Sequence, residues 1–431
     1  MAMETMPPET STDPCLSWLR KCLEEHPTSA SLVSSATAYY ERRLWHQLTQ
    51  VLERLCGGGD ESEEAAVLPP ALLRSMYSVF VETFRENLNP LKLAQIAVVV
   101  AKRSYGSGGD DEEEEEGNGA MDMDCDDSKD DAKKKAPPAE TFLQKVLADL
   151  AEDLTRNPTN AAVTHEASLY IRAHVAQCRL VSGDHAGCKQ LIEECKEAVE
   201  STNEIDASVH ASVHYVHSQL TKSRQDFQGF YRSALLYLSY VDDASLSIDV
   251  RRALAVDLSL AALLGKDIYN FGELLQHSVA SSLDGTDYEW LHGVIKAFHA
   301  GDLAQYDALL ATHGASFDAQ PGLRDRRTEL REKIQILSVM QLIFSLPSDD
   351  RTIAMAEIGR RTGLDTDGVE RLMMRALSVH LVEGSLDSVA GEVTITWVQP
   401  RVLTRPEVVN LSEKIDVWID KVNAIKELVA A

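Results

Sequence analysis

Apolar residues recur at helical spacing throughout the N-terminal part of the chain, and no stretch there alternates as a strand would. Pro90 opens a further helix over 91–104, because proline is favoured at the first helical position. Thr141 is the predicted N-cap of a helix over 142–154. The first three amphipathic helices carry their apolar positions at Leu16, Leu19 and Leu23, at Tyr40, Leu44, Leu48, Leu52 and Leu55, and at Leu73, Tyr77, Phe80 and Phe84.

From about Asn160 the predicted helices come in pairs that are joined by tight polar turns. Small residues such as Ala167 and Ala173 dot these helices, as close helix stacking requires. The spacing of roughly 40 residues per pair is typical of tetratricopeptide-like hairpins in a solenoid, which presents surface rather than a catalytic pocket. The predicted helices cover 162–181, 186–200, 207–222, 227–240, 250–264, 271–276, 287–300 and 303–312.

A long helix over 324–344 follows, and the pattern then changes. A short strand at 351–353, two helices at 355–362 and 367–380, and two strands at 382–386 and 393–398 come next. Helix, turn, helix and hairpin in this order predict a winged helix. This is the only β structure that the sequence predicts.

The last element, 405–431, carries apolar residues at steps of 4, 3, 4, 3 and 4. Such a heptad seam on a terminal helix needs a partner. The helix either packs back on its own winged helix or joins a bundle with other chains. The seam consists of Leu411, Ile415, Trp418, Val422, Ile425 and Val429.

The sequence therefore predicts an all-α fold: a helical-hairpin solenoid, a winged helix with a small β-hairpin, and a C-terminal helix. One segment breaks the pattern, since 110–131 holds 13 acidic residues and one lysine of a chain with net charge -26. Repelling charges with little to bury predict a disordered acidic insertion. The predicted divisions are an N-terminal solenoid 1–105, the insertion 106–138, a helical-repeat solenoid 139–320, the winged helix 321–403 and the bundle helix 404–431.

The cysteine content and the lengths of the apolar stretches indicate the cellular compartment of the protein. The seven cysteines are an odd set without a CxxC pair, which fits neither a secreted disulfide framework nor a zinc ribbon. Apolar stretches such as 96–101 and 258–264 are far shorter than the roughly 18 residues of a membrane span. Without a recognisable secretory signal, we expect an intracellular protein in a reducing compartment.

Catalytic and cofactor motifs are missing from the sequence. Gly265-Lys266 lacks the remainder of a phosphate-binding loop, and neither G-x-S-x-G nor H-E-x-x-H occurs. His210, His214 and His217 lie along one helix face, but no nearby carboxylate or thiolate completes a metal site, so we expect packing or rim positions. Cys188 and Cys195, seven apart, are expected to be small buried apolar groups. We expect no catalytic residue, no cofactor and no metal.

A winged helix commonly reads DNA with its second helix, and the charges here disfavour that function. Asp365, Asp367 and Glu370 lead this helix, ahead of Arg371 and Arg375. Residues 351–401 hold six basic and seven acidic side chains, which gives no electrostatic capture of a polyanion.

A solenoid that ends in a non-basic winged helix and a terminal helix resembles the PCI module of scaffold subunits in the proteasome lid, the COP9 signalosome and a translation initiation factor complex. Several stretches more specifically resemble the family of non-ATPase subunit 13 of the 26S proteasome regulatory particle. The acidic insertion departs from that family, so nothing of the family is carried onto it. The stretches are 40–49, 89–96, 269–275, 333–335, 376–379 and 396–403.

The resemblance implies a non-catalytic, cytoplasmic and nuclear scaffold in a hetero-oligomer, which supports ubiquitin-dependent protein degradation. Its implied partners are other PCI subunits of the lid and the MPN-domain subunits, including the JAMM deubiquitinase, with the ubiquitin-receptor subunit as a further candidate. Nucleic acid and membrane are not expected partners. The alternatives are a PCI scaffold of another complex or a winged-helix nucleic-acid binder.

Two surfaces are predicted to carry the assembly. Residues 393–398 are interpreted as an outer strand whose free edge pairs with a neighbouring subunit, with Val393, Ile395 and Trp397 as contacts. The heptad seam of the terminal helix then adds apolar burial, anchored by Ile415 and Trp418.

Overall fold

The structure of the chain is a computed structural model that describes residues 14–26, 29–57, 68–105, 138–156, 161–202, 204–242, 245–346, 351–402 and 405–430. The chain divides into two compact units, residues 1–220 and 221–431. The predicted acidic insertion falls outside the described residues, apart from Pro138, which begins a helix.

The first unit is built from helices. Its main core contains the aromatic group Tyr40, Trp45, Phe80 and Phe84, in which the rings of Trp45 and Phe84 stack with centroids 5.5 Å apart. A π-helical turn, Met76–Val81, connects the fourth helix to the fifth, and a 3-10 turn, Arg85–Asn87, follows the fifth. The helices are α1 (Pro14–Glu25), α2 (Ala30–Glu41), α3 (Trp45–Leu55), α4 (Pro70–Ser75), α5 (Glu82–Phe84), α6 (Pro90–Tyr105), α7 (Pro138–Arg156), α8 (Ala161–Val181), α9 (His185–Ser201) and α10 (Ala207–Ser223), whose last three residues belong to the second unit.

Two local predictions in this unit were wrong. The apolar positions from Tyr40 to Leu55 belong to two helices, because the chain turns at Arg43, whose φ is 54°. Thr141 does not cap α7, which begins earlier at Pro138; its hydroxyl instead donates to the Pro138 carbonyl at 2.9 Å. Helical spacing persists across a tight turn, so periodicity alone does not reveal such a break.

Helical hairpins continue in the second unit. Asp226 and Asp302 accept from backbone N–H groups at the starts of their helices. Gly301 forms the turn of one hairpin with φ 66°, a backbone conformation that favours glycine. A Cβ there would also lie 2.8 Å from the Leu337 carbonyl oxygen, so a side chain does not fit. The helices are α11 (Phe227–Tyr240), α12 (Ile248–Leu264), α13 (Gly272–Gln276), α14 (Ser278–Ser281), α15 (Glu289–Ala300), α16 (Leu303–Asp318), α17 (Pro321–Asp325) and α18 (Arg327–Ser345).

The winged helix forms as predicted, and it shares one continuous core with α11–α18. Its order is β1 (Thr352–Ala354), α19 (Met355–Thr362), α20 (Thr366–Ser378), β2 (Val382–Asp387) and β3 (Glu392–Val398). The three strands form an antiparallel sheet in the order β1-β3-β2. The all-α class with one small sheet is therefore confirmed. The last helix, α21, covers Arg405–Ala430.

None of the helices in the described parts of the chain combines the length and apolar character that a membrane span requires.

Candidate interaction surface

The sequence motifs of the second unit converge where the helical hairpins meet the winged helix. On α18, the Lys333 ammonium is buried and donates to the carbonyls of Ala262 at 2.8 Å, Leu263 at 3.2 Å and Gly265 at 2.8 Å. These carbonyls end α12, where the helix dipole favours a cation. Burial lowers the pKa of Lys333 to about 7, against the weaker opposing effect of Asp267.

Gln335, one half-turn along the same helix, holds the other side of this junction. Its Nε2 donates to the carbonyl oxygen of Thr362, the last residue of α19, at 3.1 Å. Lys333 and Gln335 therefore fix the end of the hairpin array and the start of the winged helix to one rigid helix.

The segment that follows β3 is fixed to the same junction. Arg401 donates to the His299 carbonyl at 3.0 Å, and its guanidinium carbon lies 5.2 Å from the centroid of the Phe344 ring. The Val402 N–H lies 3.5 Å from the Asn270 side-chain oxygen. The chain is thus anchored immediately before α21 begins.

Beyond that anchor, α21 presents apolar side chains to solvent. Exposure along the predicted seam runs from 43% at Val422 to 65% at Trp418. The side chain of Val429 lies outside what the structure describes. The other exposed seam residues are Leu411, Ile415 and Ile425, and Val408, Val409, Val417 and Ile419 off the seam are exposed as well. The five seam side chains that the structure describes are therefore exposed rather than buried against the winged helix.

The interpretation of β3 as an outer strand was wrong. β3 is the central strand, because β1 pairs with it through Ile353 and Val393 while β2 pairs with it on the other side. Of the three predicted contacts on β3, Val393 and Ile395 are buried in the core and Trp397 is 42% exposed. The predicted strand at 351–353 could have indicated that β3 is central, because a strand needs a partner and this strand pairs with β3.

The outer strands of the described sheet are β1 and the longer β2. Ile395 donates its N–H to the Arg351 carbonyl, on the β1 side. In an antiparallel ladder its β2 partner, Gly384, consequently turns its own N–H away from β3. The register shifts between Glu383 and Gly384, where β3 holds one extra residue, Thr396, and residues 383–385 of β2 are exposed.

The leading turn of α20 is acidic, as the sequence indicates. Asp365 accepts from the Gly368 N–H at 2.9 Å as the N-cap, and Asp367 is exposed. Arg375 lies 3.8 Å from Glu332, so part of the basic charge that follows is paired.

The histidine and cysteine candidates lie in helix packing. Burial lowers the pKa of His214 to about 4, with Lys196 and His210 as the neighbouring charges. Cys188 and Cys195 are buried in two small cores, and burial raises the pKa of Cys195 to about 11. In the described ranges, no group of three histidine, cysteine or acidic side chains is placed to hold a metal ion.

Comparison with known proteins agrees with this architecture. A family model described as PSD13 N-terminal repeats matches residues 32–295, and a PCI domain model matches residues 310–397. The 26S proteasome non-ATPase regulatory subunit 13 homolog B of Arabidopsis thaliana is 39% identical over 95% of each chain.

Two fungal proteins are also similar. The probable 26S proteasome regulatory subunit rpn9 of Schizosaccharomyces pombe is 31% identical over 90% of this chain and 89% of its own length. The 26S proteasome regulatory subunit RPN9 of Saccharomyces cerevisiae is 29% identical over 96% of this chain and 95% of its own length. With these matches over nearly the whole length, the chain belongs to the family of 26S proteasome non-ATPase regulatory subunit 13.

Proposed function

We propose that this chain is a non-catalytic scaffold subunit of the 26S proteasome lid, which supports assembly of the regulatory particle and ubiquitin-dependent protein degradation. The family membership supports the lid assignment. The observation that carries the mechanism is α21, a helix of 26 residues whose apolar seam is exposed while the segment before it is anchored.

The terminal helix is the primary assembly contact in this proposal. Its seam joins a helical bundle with other lid subunits, and Ile415 and Trp418 are the anchors. Burial of apolar area is worth roughly 25 cal/mol per Å², so two large side chains near the centre of the seam supply much of the favourable free energy. Leu411, Val422, Ile425 and Val429 extend the same contact.

A second contact is the free edge of β2, which takes the place of the β3 edge. Its outward backbone groups at Gly384 suit strand addition by a neighbouring PCI subunit. Trp397, exposed on β3 of the same hairpin, remains a predicted contact. In this arrangement the partners are PCI subunits and MPN-domain subunits, including the JAMM deubiquitinase, with the ubiquitin-receptor subunit as a further candidate.

Catalysis belongs to other subunits in this proposal, and the complex works in the cytoplasm and the nucleus. The buried thiol of Cys195, whose pKa is raised, and the imidazole of His214, whose pKa is lowered by burial beside Lys196, support this part of the proposal.

The test is purification of partners with a tagged full-length chain and with a version that ends at Pro406. We expect lid and core proteasome subunits with the full chain and not with the truncated one. Recovery of a different PCI complex would overturn the assignment to the proteasome. Equal recovery of proteasome with both versions would instead move the main contact from α21 to the winged helix.

A further inference from the structure

A cleft of about 460 Å³ opens between α16 and α18, and none of its lining residues belongs to α21 or to the sheet. Tyr306 and Leu310 line it from α16, and Arg327 and Thr328 from the first turn of α18. A salt bridge between Asp307 and Arg331 closes one side. We refer to it as the α16–α18 cleft.

Tyr306 leaves an unsatisfied hydroxyl beside this cleft. The residue is only 1% exposed, and its ring packs edge-on against Phe298 at a centroid distance of 5.4 Å. Among the described residues, its hydroxyl has no hydrogen-bond partner. Buried hydroxyls are nearly always hydrogen-bonded, so an unpaired one next to a cleft indicates a missing acceptor or donor.

The hydroxyl of Tyr306 can donate a hydrogen bond to an acceptor in the cleft. Burial raises the pKa of Tyr306 to about 12, so the hydroxyl keeps its proton at neutral pH. The charged groups that act on it, Arg327, Asp307 and Arg331, all line the cleft.

One guanidinium in the cleft is uncompensated. Arg331 is held in a two-point pair with Asp307, with N–O distances of 2.9 and 3.3 Å. Arg327 is exposed and, within the described part of the chain, forms no ion pair. It begins α18, whose N-cap residue Arg326 makes no side-chain hydrogen bond to the first turn, and that turn carries one acidic residue, Glu329.

We propose that the α16–α18 cleft binds a carboxylate group presented by a partner polypeptide. The carboxylate pairs with the Arg327 guanidinium and accepts a hydrogen bond from the Tyr306 hydroxyl, while the half-buried Leu310 packs against the adjoining methylene groups. A carboxylate fits better than a phosphate, because only one cation is unpaired and the Asp307 carboxylate would repel a dianion. The site is independent of the assembly contacts proposed above.

The test uses the full-length chain and fluorescein-labelled short peptides, with binding followed by fluorescence anisotropy at low ionic strength. One peptide carries glutamates and an amidated C-terminus, a second has glutamine at the same positions, and a third has glutamine and a free C-terminal carboxylate. We expect the first or third peptide to bind about tenfold more tightly than the second, since hydrogen bonds to a charged group contribute on that scale. Tighter binding of the first peptide identifies a glutamate side chain as the source of the carboxylate. Tighter binding of the third identifies the C-terminus of a chain.

Two variants locate the binding. Arg327→Gln and Tyr306→Phe should each weaken carboxylate binding about tenfold. Arg324→Gln removes the same charge three positions away, outside the cleft, and should leave binding within about twofold. Circular dichroism and thermal unfolding verify the fold, and the exposed Arg327 provides a result even if Tyr306→Phe alters packing.

The proposal fails if the glutamate, glutamine and free-carboxylate peptides bind equally, or if neither cleft variant weakens binding. It also fails if inorganic phosphate displaces the bound peptide at a lower concentration than acetate does.

Discussion

Lys333 and Gly265 lie 68 positions apart in the sequence, and the Lys333 ammonium nitrogen lies 2.8 Å from the Gly265 carbonyl oxygen. Two further carbonyls at the end of α12 accept from the same nitrogen. A single buried lysine thus satisfies the last turn of one helix from the middle of another.

Replacing this lysine should destabilise the second unit. In Lys333→Met the side chain keeps much of its length, but the carbonyls of Ala262, Leu263 and Gly265 lose their donor. We expect a loss of about 2 kcal/mol in the free energy of unfolding, measured by urea denaturation. The control is Lys266→Met, which removes an exposed lysine directly after Gly265. This variant should change the free energy of unfolding by less than about 0.5 kcal/mol. Equal effects of both variants would contradict a structural role of Lys333.

The same lysine should make stability depend on pH. The pKa of Lys333 is about 7 in the folded chain and 10.5 for an ordinary lysine, so above about pH 7 unfolding takes up a proton. The free energy of unfolding therefore increases as pH rises, by up to about 1.4 kcal/mol per pH unit. The stability difference between the natural chain and Lys333→Met should grow between about pH 7 and pH 9. A difference that stays constant or shrinks would show that the lysine keeps its proton in the folded state.

The exposed seam predicts a variant that folds but does not assemble. Ile415→Asp combined with Trp418→Asp should abolish incorporation into the lid, while far-ultraviolet circular dichroism of the isolated chain stays unchanged because both side chains are exposed. The matched control is Val417→Asp combined with Asn423→Asp, which adds the same charge to the same helix off the seam. Normal lid assembly by the seam variant, measured by affinity purification, would rule out the anchoring role.

The hairpin of the winged helix should not tolerate a side chain at Gly384. A Cβ at this position would collide with the Thr394 carbonyl oxygen on the neighbouring strand. Gly384→Ala should therefore cost about 2 kcal/mol, through displacement of β2 from β3, and lower the melting temperature. Ser385→Ala, at the next and exposed position, should leave the melting temperature almost unchanged. A Gly384→Ala chain as stable as the Ser385→Ala chain would mean that the edge strand moves freely.

Local sequence patterns predicted most helices well. The ranges of α11 and α19 agree residue for residue with the prediction, because apolar spacing is bounded there by a clear start and stop, Asp226 before one and Gly363 after the other. α16 runs on to Asp318, beyond the predicted end at Thr312, after non-helical dihedral angles at His313. The turn at Arg43 was missed because no glycine or proline marks it.

Of the two surfaces proposed for assembly, the sequence indicated the position of one, and the role of both in assembly stays a prediction. The seam of α21 could be read from its heptad spacing, since a partner is implied by the pattern itself. The position of β3 in the sheet depends on which strands meet in space, and alternation of Val393 and Ile395 describes a half-buried strand at any position. The unpaired hydroxyl of Tyr306 leaves no trace in the sequence, because it arises from packing against α15 and α18.

The exposure of α21 has a thermodynamic consequence for the order of events in assembly. An isolated helix gains little from its own hydrogen bonds in water and depends on tertiary packing for most of its stability. In the assembly proposed above, α21 would draw that support from partner helices, so the free energy needed to order its backbone would be part of the docking step. Docking of α21 in that assembly would then remain reversible until several helices close around the seam together, which would favour complete complexes over partial ones.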